Sequence, residues 1–594
     1  MQRIAFLVAL LACLTSPIVE ARDASTADAL PLHFRFELDN DYSTSAGAFD
    51  ASGTLVRTLW SNRRLTAGPH DASWDGCDDD GHPVSDDAEY EIRLLVHNVI
   101  YTWEGVIGSS SPDPGSPFHH DGQYFFADLA ISGDRAFFTV PGEGPVPTMR
   151  YYRLDDPQTW GARPALPVAY GATMGLVAAD RERVYWAHDS SGWQHTWGKG
   201  GDQAFVMATD RDMSREILFD AGAPTCVQRV GQDCYRDAEM DQNFRSAIDI
   251  VTDFPEDPAT PVLEGARNNV TGLAVQSDGP LLFVAHGRLS PARIHLLDKL
   301  TGRLLARIPL ASVGRLVAVP GCDEIWAIHG GANGPVVSRL AIGPAPDYAL
   351  HVVHTLAGVE SPLALSLTPD GKQIVVAEGG SKQQVRAFDV ESGEPQWQLG
   401  ETGGYAEQGP QVSTSKFSFH LREPTPRSSQ RVEFALLAFA PDGTFWVGDA
   451  ALSRLLKFGT DRRYLDQIAF LPGIYNMTVD RNDPTRVFAE YTEYAVDYAQ
   501  PLAQGWRLAR FFGDSPELTM DHRQWGSGFI DVATLGNGKT YGLARALGGP
   551  RLDLMEVPAT GDLRRFSLRL QQPVFLDPNG DLYGVRPAAS ARTP

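Results

Sequence analysis

Cysteine is scarce in this sequence, which has only 5 cysteines among 594 residues. No two of them form a C-x-x-C pair, so a structural zinc site is not indicated. Cys226 and Cys234 lie close together in a polar stretch, and this spacing predicts one disulfide bond in an oxidising compartment. Cys77 and Cys322 are compatible with buried thiols.

Long apolar runs are also missing, so the sequence predicts no transmembrane segment. Residues 1–21 are typical of an export signal peptide: Arg3 supplies the charge, Ile4–Leu14 the apolar core, and residues 19–21 a small-x-small cleavage site. We therefore expect a secreted, periplasmic or cell-surface protein. The residues before and including Cys13 loosely resemble a lipoprotein signal, which leaves lipid anchoring as a minor alternative.

The formal net charge is −23, and the acidic residues are dispersed along the chain. Such a surface repels phosphate backbones, which argues against nucleic-acid partners. It suits neutral or cationic partners or a divalent metal ion, although solubility alone also explains it.

The standard catalytic motifs are absent. The sequence has no G-x-S-x-G, no H-E-x-x-H, no phosphate-binding G-x-x-x-x-G-K-[ST] and no convincing dinucleotide-binding loop. These absences argue against α/β-type serine hydrolases, zincins, P-loop enzymes and Rossmann dehydrogenases. They do not exclude enzymes whose active residues come from many repeats.

Residues 30–108 differ from the rest of the chain in their pattern of strands and turns. An alternating strand follows the turn at Asp50–Gly53, and Ser73-Trp74-Asp75-Gly76 precedes an Asp-Gly turn at residues 80–81. This order of strands and turns predicts a small antiparallel sandwich. The pattern resembles the Ig-like module of FlgD, the flagellar hook-capping protein. The resemblance implies an interaction or spacer domain and no flagellar role.

Residues 110–588 carry a repeat of strand, Asp/Gly turn and strand. Its clearest copies are residues 436–458 and 364–389. A single copy buries too little surface to be stable alone, so the copies must pack side by side. They resemble NHL and YVTN-type β-propeller repeats, which implies four-stranded blades. We count eight units and a terminal fragment, and a closing blade shared between the two ends would absorb that fragment.

The predicted fold class is therefore all-β: an N-terminal Ig-like sandwich followed by a propeller of seven to nine blades, with eight as the best estimate. Long insertions near residues 190–265 and 400–432 interrupt the repeat. Such insertions often lie on the binding face, although a merely decorative loop is the alternative.

Aligning the repeats shows an ionisable residue just after the second strand of most copies. In a propeller these positions form a ring on one face, and side chains at them could make a polar funnel. The alternative is that each residue caps a turn. The candidates for this ligand-face ring are His188, His286, His329, Glu378, Asp449, Glu490 and Arg545.

A second set precedes the first strand of several copies and comprises Asn269, Glu360, Asn476 and Asp531. Amide and carboxylate oxygens are ligands that calcium prefers. The pattern faintly resembles the metal-dependent lactonases of the gluconolactonase type, which are six-bladed. Two alternatives remain for these four residues, a calcium site and a purely structural role.

These observations favour a secreted binding or scaffold protein for an unidentified carbohydrate or protein ligand. The alternative is a propeller enzyme, either a calcium-dependent lactonase-like hydrolase or a polysaccharide lyase that uses His and Tyr for proton transfer.

Overall fold

The structure is a computed structural model of the whole chain. It describes residues 32–85, 88–98, 126–140, 148–157, 159–163, 174–188, 205–217, 228–230, 233–235, 248–249, 270–286, 292–420, 433–469, 474, 476–501, 505–523, 526–545, 551–571, 574–576 and 582–584. The predicted signal peptide, Cys226, Asn269 and most of the 190–265 insertion lie outside the described residues. The Cys226–Cys234 disulfide therefore stays a prediction.

Contacts divide the chain into two compact units, residues 1–103 and 104–594. The first unit contains two small antiparallel sheets. Their strands are β1 (Leu32–Leu38), β2 (Tyr42–Asp50), β3 (Leu55–Leu65), β4 (Gly68–Trp74) and β5 (Tyr90–His97), with β1 paired to β4 and β2 lying between β3 and β5.

Local chemistry explains the turn between β2 and β3. The Asp50 carboxylate accepts hydrogen bonds from the backbone N–H groups of Ser52 and Thr54, both at 2.9 Å, and Gly53 adopts φ 84°. Aromatic rings link the two sheets, since Phe36 of β1 stacks on Trp60 of β3 with ring centres 5.9 Å apart. The unit therefore has an aromatic core of its own.

The second unit begins with six antiparallel sheets, here called blades 1 to 6, each built on four consecutive strands; the sheet of blade 2 also has a fifth strand. Blade 1 comprises β6 (Asp128–Ser132), β7 (Arg135–Thr139), β8 (Met149–Arg153) and β9 (Trp160–Ala162). Blade 2 comprises β10 (Met174–Ala179), β11 (Arg183–His188), β12 (Phe205–Asp210) and β13 (Glu216–Ile217). The hairpin β14 (Gln228–Val230) and β15 (Asp233–Tyr235) follows, and then β16 (Ile248–Asp249), which pairs with β12.

The next four blades repeat this order. Blade 3 comprises β17 (Val270–Val275), β18 (Leu281–His286), β19 (Arg293–Asp298) and β20 (Leu304–Pro309). Blade 4 comprises β21 (Leu316–Ala318), β22 (Glu324–Gly331), β23 (Gly334–Ile342) and β24 (Leu350–Thr355). Blade 5 comprises β25 (Pro362–Leu367), β26 (Gln373–Glu378), β27 (Gln384–Asp389) and β28 (Pro395–Leu399). Blade 6 comprises β29 (Leu436–Phe439), β30 (Phe445–Asp449), β31 (Arg454–Phe458) and β32 (Tyr464–Ala469).

The first strands of the six blades contact one another in a closed cycle. Each first strand packs beside the next along the chain, and β29 of blade 6 packs beside β6 of blade 1. Side chains of Trp446 and Tyr152 meet at this closing seam, with ring centres 5.6 Å apart. The described residues thus form a β-propeller ring with six blades, whereas the sequence predicted seven to nine.

The ring is held together by apolar side chains that alternate along each second strand. In β26, Ile374 and Val376 pack against blade 4, while Val375 and Ala377 pack against blade 6. Successive side chains of a strand point to opposite faces, so a continuous apolar run is what a strand buried on both faces requires. This is why the repeats are almost wholly apolar at their second strand.

The remaining repeat copies do not enter the ring. They form one eight-stranded sheet of β33 (Met477–Asp480), β34 (Asp483–Ala489), β35 (Thr492–Val496), β36 (Trp506–Phe511), β37 (Gly528–Thr534), β38 (Thr540–Arg545), β39 (Arg551–Glu556) and β40 (Arg564–Gln571). Its two four-stranded halves join through a parallel bridge between Asp480 and Val532. The terminal fragment is a separate hairpin, β41 (Val574–Leu576) and β42 (Leu582–Gly584), rather than part of a shared closing blade.

The described part of the 400–432 insertion connects the ring to the eight-stranded sheet. It holds a short helix, α1 (Gly404–Gln408), and its Val412 N–H donates a 2.9 Å hydrogen bond to the Ala509 carbonyl of β36. Tyr405 of α1 packs edge-on against Phe511. Residues 400–420 therefore connect the ring to the eight-stranded sheet, and a place for the insertion on a binding face stays a prediction. Two short 3₁₀ helices, Ala450–Leu452 and Met520–Arg523, complete the elements.

Among the described residues, no helix has both the length and the apolar character needed to cross a membrane. Cys77 and Cys322 are unpaired and half-buried in the described structure, so neither is fully enclosed as a core thiol.

Candidate functional site

The ring residues predicted from the repeats lie at one end of their blades. His188, His286 and Glu378 each end a second strand and pair with the first residue of the neighbouring first strand. Asp449 ends β30. His329 directly follows Ile328, whose N–H donates to the backbone carbonyl of Arg315 just before β21. These five positions are therefore equivalent by register. The side chain of His188 lies outside the described residues.

Glu378 is fully buried, with 0% of its surface exposed. Its carboxylate accepts a 2.7 Å hydrogen bond from the Glu360 N–H and a 2.9 Å charged hydrogen bond from the Arg386 guanidinium of β27. Arg386 also donates to the Gly358 carbonyl. The side chain thus fastens the segment that enters blade 5 to the blade itself.

Asp449 has a similar role in blade 6. It is fully buried, accepts a 2.9 Å hydrogen bond from the Ser418 N–H and pairs with Arg454 at 2.8 Å. Arg454 also donates to the Tyr405 hydroxyl at 3.0 Å and to the Ser413 carbonyl at 2.8 Å. Burial raises the pKa of Asp449, and the charge of Arg454 opposes that shift. The pair anchors the connector segment.

The histidines of the ring are enclosed by their own blades. His286 is 1% exposed, and its ring centre lies 6.3 Å from that of His295 on β19. Burial lowers the pKa of His295 well below its ordinary value of 6.5, and the nearby His286, Arg307 and Arg293 lower it further when charged. Buried His295 is therefore neutral at pH 7.

His329 makes contacts within blade 4. Its Nε2 lies 2.9 Å from the Ser338 hydroxyl, which lies 2.8 Å from the Thr355 hydroxyl. Burial lowers the pKa of His329 as well, and a hydrogen bond to the Gly330 carbonyl opposes the shift. The second, third and fourth strands of the blade are joined by this chain of polar groups.

Glu490 and Arg545 do not belong to the ring. Glu490 follows β34 with φ 52°, and Arg545 ends β38, so both lie in the eight-stranded sheet. The expected seven-membered ring is wrong in this respect, because the last two repeat copies pair with each other instead of joining the cycle. In blade 1 the equivalent position is the buried, apolar Val140.

The residues proposed as calcium ligands are dispersed. Glu360 enters blade 5, where its carboxylate lies 3.5 Å from the Lys382 ammonium group. Asn476 immediately precedes β33 of the eight-stranded sheet, and its side chain donates to the Gly526 carbonyl. Asp531 lies in β37 of that sheet and pairs with Arg481. Within the ranges that the structure describes, no three His, Cys, Asp or Glu residues are grouped so that they could hold a metal ion.

An ion pair that the sequence analysis did not predict lies at the centre of the ring. Asp128 opens β6 of blade 1, and Arg315 immediately precedes β21 of blade 4, opposite it in a six-bladed cycle. The Arg315 guanidinium lies 2.9 Å from the Asp128 carboxylate and donates to the Ala127 carbonyl at 3.1 Å. Because opposite blades are joined, this pair must cross the axis of the propeller.

The Asp128–Arg315 pair, here called the axial pair, also contacts a third blade, blade 2. The Asp128 carboxylate accepts a 2.9 Å hydrogen bond from the Val177 N–H of β10. Burial raises the pKa of Asp128, and the charge of Arg315 opposes the shift. The one sign of this pair in the sequence is that Asp128 and Arg315 are charged residues at a repeat position that is otherwise apolar or small. In the other four blades this position is occupied by Leu176, Gly272, Ala364 and Leu436.

At the opposite end of the strands, blades 5 and 6 enclose an open cleft of ≈ 450 Å³. Its floor contains Trp397, Phe439 and Phe445; Phe439 stacks on Phe445 with ring centres 4.8 Å apart. The Pro-Asp-Gly turns of the two blades form its rim and contribute Asp370 and Asp442.

Polar groups surround this aromatic floor. A hydrogen bond from Thr368 lowers the pKa of Asp370, and one from Thr444 lowers the pKa of Asp442, so both carboxyl groups are ionised at neutral pH. The Arg462 guanidinium lies 5.5 Å from the centre of the Trp397 ring. The cleft thus combines aromatic surface, two acceptors and a cationic donor.

Comparisons with known proteins identify no family. No family model matches the chain, and no curated protein matches its sequence. Similar solved structures include the RRP9 WD40 repeats (TM-score 0.34, 11% identity, 62% of this chain and 87% of that chain). A nidogen/laminin complex gives a TM-score of 0.33 at 10% identity, covering 56% of this chain and 92% of that chain.

A functionally unknown protein from Desulfotomaculum acetoxidans DSM 771 gives a TM-score of 0.30 at 12% identity, covering 64% of this chain and 98% of that chain. Likenesses at these TM-scores carry no argument about function. The propeller assignment rests on the closed cycle of strands, and the function must be argued from the residues.

Proposed function

We propose that the chain is a secreted binding or scaffold protein whose propeller recognises a carbohydrate or protein ligand. The observation that carries this proposal is the Asp128–Arg315 pair, which fills the axis of the ring at the end where the candidate ring residues lie. A deep cleft on the axis would need the space that these two bonded side chains occupy, whereas binding on the surface would not.

The bonding of the ring residues supports the same view. Glu378 and Asp449 are fully buried, and each carboxylate bonds an arginine and a backbone N–H. A side chain enclosed and bonded in this way stabilises its blade and is not exposed to a ligand. These residues fit the turn-capping alternative better than the ligand-face alternative.

The N-terminal unit completes the proposal. We infer that residues 30–108 form an Ig-like module of the FlgD type that spaces the propeller or contacts a partner. Two packed antiparallel sheets and the buried Trp74, which lies 5.2 Å from Tyr90 ring to ring, support it.

A second candidate function is catalysis, either lactone hydrolysis with calcium or polysaccharide elimination. The neutral state of His329 favours it, because a general base must be unprotonated at the working pH. Its partial burial and its bond to Ser338 weigh against it.

One experiment separates the two functions. The chain without residues 1–21 is incubated with a panel of lactones and uronic-acid polysaccharides, with and without Ca²⁺. We expect no turnover and no calcium-dependent change in the thermal midpoint. Turnover that requires Ca²⁺, or that is lost in His286→Ala and His329→Ala but retained in His351→Ala, would establish the enzyme instead.

Export is tested separately by expressing the full chain and sequencing the N-terminus of the mature protein. We expect it to begin at residue 22 and to be found outside the cytoplasm. A lipid-modified N-terminus at Cys13 would replace the soluble form by an anchored one.

A further inference from the structure

We propose that the cleft between blades 5 and 6 binds an uncharged saccharide. This inference rests on the proposed binding function and gives it a place and a ligand class. It is argued from three features of the cleft: the aromatic floor, the paired carboxylates of the rim and the polar groups beside them.

The aromatic floor provides a flat apolar surface in an otherwise polar rim. Phe439 and Trp397 are both half-buried, and each packs on the fully buried Phe445, at 4.8 Å and 5.9 Å between ring centres. The three rings hold one another in place, so little side-chain freedom is lost on binding. A pyranose ring has one apolar C–H face, which suits such a surface.

The rim carries a repeated carboxylate. The tripeptide Pro-Asp-Gly occurs twice in the chain, at residues 369–371 and 441–443, and both copies line this cleft. In each turn the Oδ1 atom of the aspartate accepts the hydrogen bonds that shape the turn, from Thr368 and Lys372 in one case and from Thr444 in the other.

The second carboxylate oxygen is left for a ligand. Among the residues that the structure describes, none donates a hydrogen bond to Oδ2 of Asp370 or Asp442. Ionised carboxylates are strong acceptors for hydroxyl donors. Two such acceptors on facing turns suit a molecule with several hydroxyl groups.

Donors lie beside these acceptors. Gln373 accepts a 2.8 Å hydrogen bond from the Trp397 indole through Oε1, which leaves its amide NH₂ as a donor. Arg462 adds a guanidinium near the Trp397 ring. A sugar hydroxyl both donates and accepts, so it matches a site that offers both kinds of group.

Charge selects against the other ligand classes. An anionic polysaccharide would meet the carboxylates of Asp370 and Asp442 and a chain of net charge −23. A cationic ligand would meet Arg462, which already occupies the neighbourhood of the Trp397 ring. An uncharged saccharide avoids both conflicts.

The test is calorimetric titration of the chain without residues 1–21 with cellohexaose, maltohexaose, xylohexaose and N-acetylated chitohexaose, and with hexalysine as the cationic comparison. The variants are Asp370→Asn, Asp442→Asn and Phe439→Ala. Asparagine keeps the Oδ1 acceptor that shapes the turn and removes the charge. The matched control is Asp389→Asn, which alters a turn carboxylate of blade 5 outside the cleft.

We expect at least one saccharide to bind. Each asparagine variant should weaken its Kd about 10-fold and the double variant about 100-fold, because a charged hydrogen bond is lost each time. Phe439→Ala should weaken binding by about 10-fold or more, and Asp389→Asn by less than about 2-fold. Thermal midpoints of the asparagine variants should stay at the wild-type value.

Three results overturn the inference: no saccharide binding up to millimolar concentration, binding that the cleft variants leave unchanged, or tighter binding of hexalysine that the same variants abolish. Failure of the proposed function looks different. Turnover of a polysaccharide or lactone that persists in Asp370→Asn/Asp442→Asn would show an enzyme elsewhere on the molecule, while the binding data would still decide the use of the cleft.

Discussion

The ring and the eight-stranded sheet are built from similar repeat copies, yet their neighbouring sheets are joined differently. Blades of the ring pack mainly through apolar side chains such as Val375, Val376 and Trp446, which are fully buried between sheets. The two halves of the eight-stranded sheet meet through the backbone, at the bridge between Asp480 and Val532. An apolar junction allows a sheet to have a neighbour on each face, whereas a backbone junction merges two sheets into one.

Polar residues reinforce the merged junction. At the merged junction, buried Asp480 accepts hydrogen bonds from the Thr534 N–H at 2.8 Å and from Arg486 at 3.2 Å. Arg481 also pairs with Asp531 across the same boundary. These groups bond one another across the edge that the two halves share, so they stabilise the merged junction.

The largest expected effect is at the seam that closes the ring. Trp446→Ala removes a fully buried indole that packs edge-on against Tyr152 of blade 1. It should lower the free energy of unfolding of the ring by about 3–5 kcal/mol. Denaturant unfolding followed by hydrogen exchange of residues 128–153 measures this. Trp446→Phe, which keeps an aromatic ring, should lose clearly less, and an equal loss would show that the seam does not depend on packing.

The merged junction should respond to loss of its carboxylate. Asp480→Ala leaves the half-buried Thr534 N–H without its acceptor, while the Arg486 guanidinium keeps its 2.8 Å bond to the Glu493 carboxylate. We expect a loss of about 3 kcal/mol in the free energy of unfolding. Faster hydrogen exchange should be confined to residues 477–489 and 528–534. The exposed residue Asp497, which follows β35, is changed to alanine as the control, and equal exchange rates in the two variants would refute the role of Asp480.

A smaller effect is expected where two blades of the ring touch through the backbone. A Cβ on Gly272 would lie closer to the Gly314 carbonyl than van der Waals contact allows. Gly272→Ala should therefore cost about 1–3 kcal/mol and displace the segment that carries Arg315. At Gly314 an added Cβ meets nothing nearer than 3.5 Å, so Gly314→Ala should be nearly neutral. Thermal midpoints of the two variants measure the contrast, and equal midpoints would contradict it.

The smallest expected effect on stability at neutral pH is electrostatic and arises from His295, which lies in blade 3 of the ring. Burial lowers the pKa of His295 well below 6.5, so the folded state holds it neutral while the unfolded chain protonates it. Its contribution is present above pH 6.5 and is lost as the pH falls through the lower folded pKa. The unfolding midpoint of the ring should fall as the pH drops below 6.5, and His295→Gln should flatten that dependence. An unchanged profile in the variant would assign the pH dependence to other groups.

The sequence was sufficient for the class of fold and for the phase of the repeats. Apolar second strands and Asp-Gly turns predicted an all-β chain, which is confirmed for the described residues, and they aligned His286, His329, Glu378 and Asp449 by register. The Ig-like module and the disulfide stay predictions. Repeats specify a blade, but they do not specify how many blades close a ring.

The errors have a common physical origin. Closure depends on which side chains meet between residues far apart in the chain, such as Trp446 and Tyr152, and a repeat alignment does not contain that information. The same holds for the axial pair. Asp128 and Arg315 belong to different repeat copies, and each is a charged residue at a position where the other copies have an apolar or small one. The cleft between blades 5 and 6 was missed because its aromatic residues look like ordinary core positions in the sequence.

The seam between blades 1 and 6 also sets the order in which the molecule can assemble. Each of these blades is a continuous segment of the chain. Tyr152 of blade 1 packs against Trp446 of blade 6, which lies almost half of the chain length away in sequence. Contacts of such long sequence separation form slowly, because the entropy of closing the intervening chain is lost before the contact is gained. Until blade 6 is complete, Phe126 and Phe138 of blade 1 keep an open apolar face. Ring closure is therefore the step at which a partly folded chain is most exposed to association with its own copies.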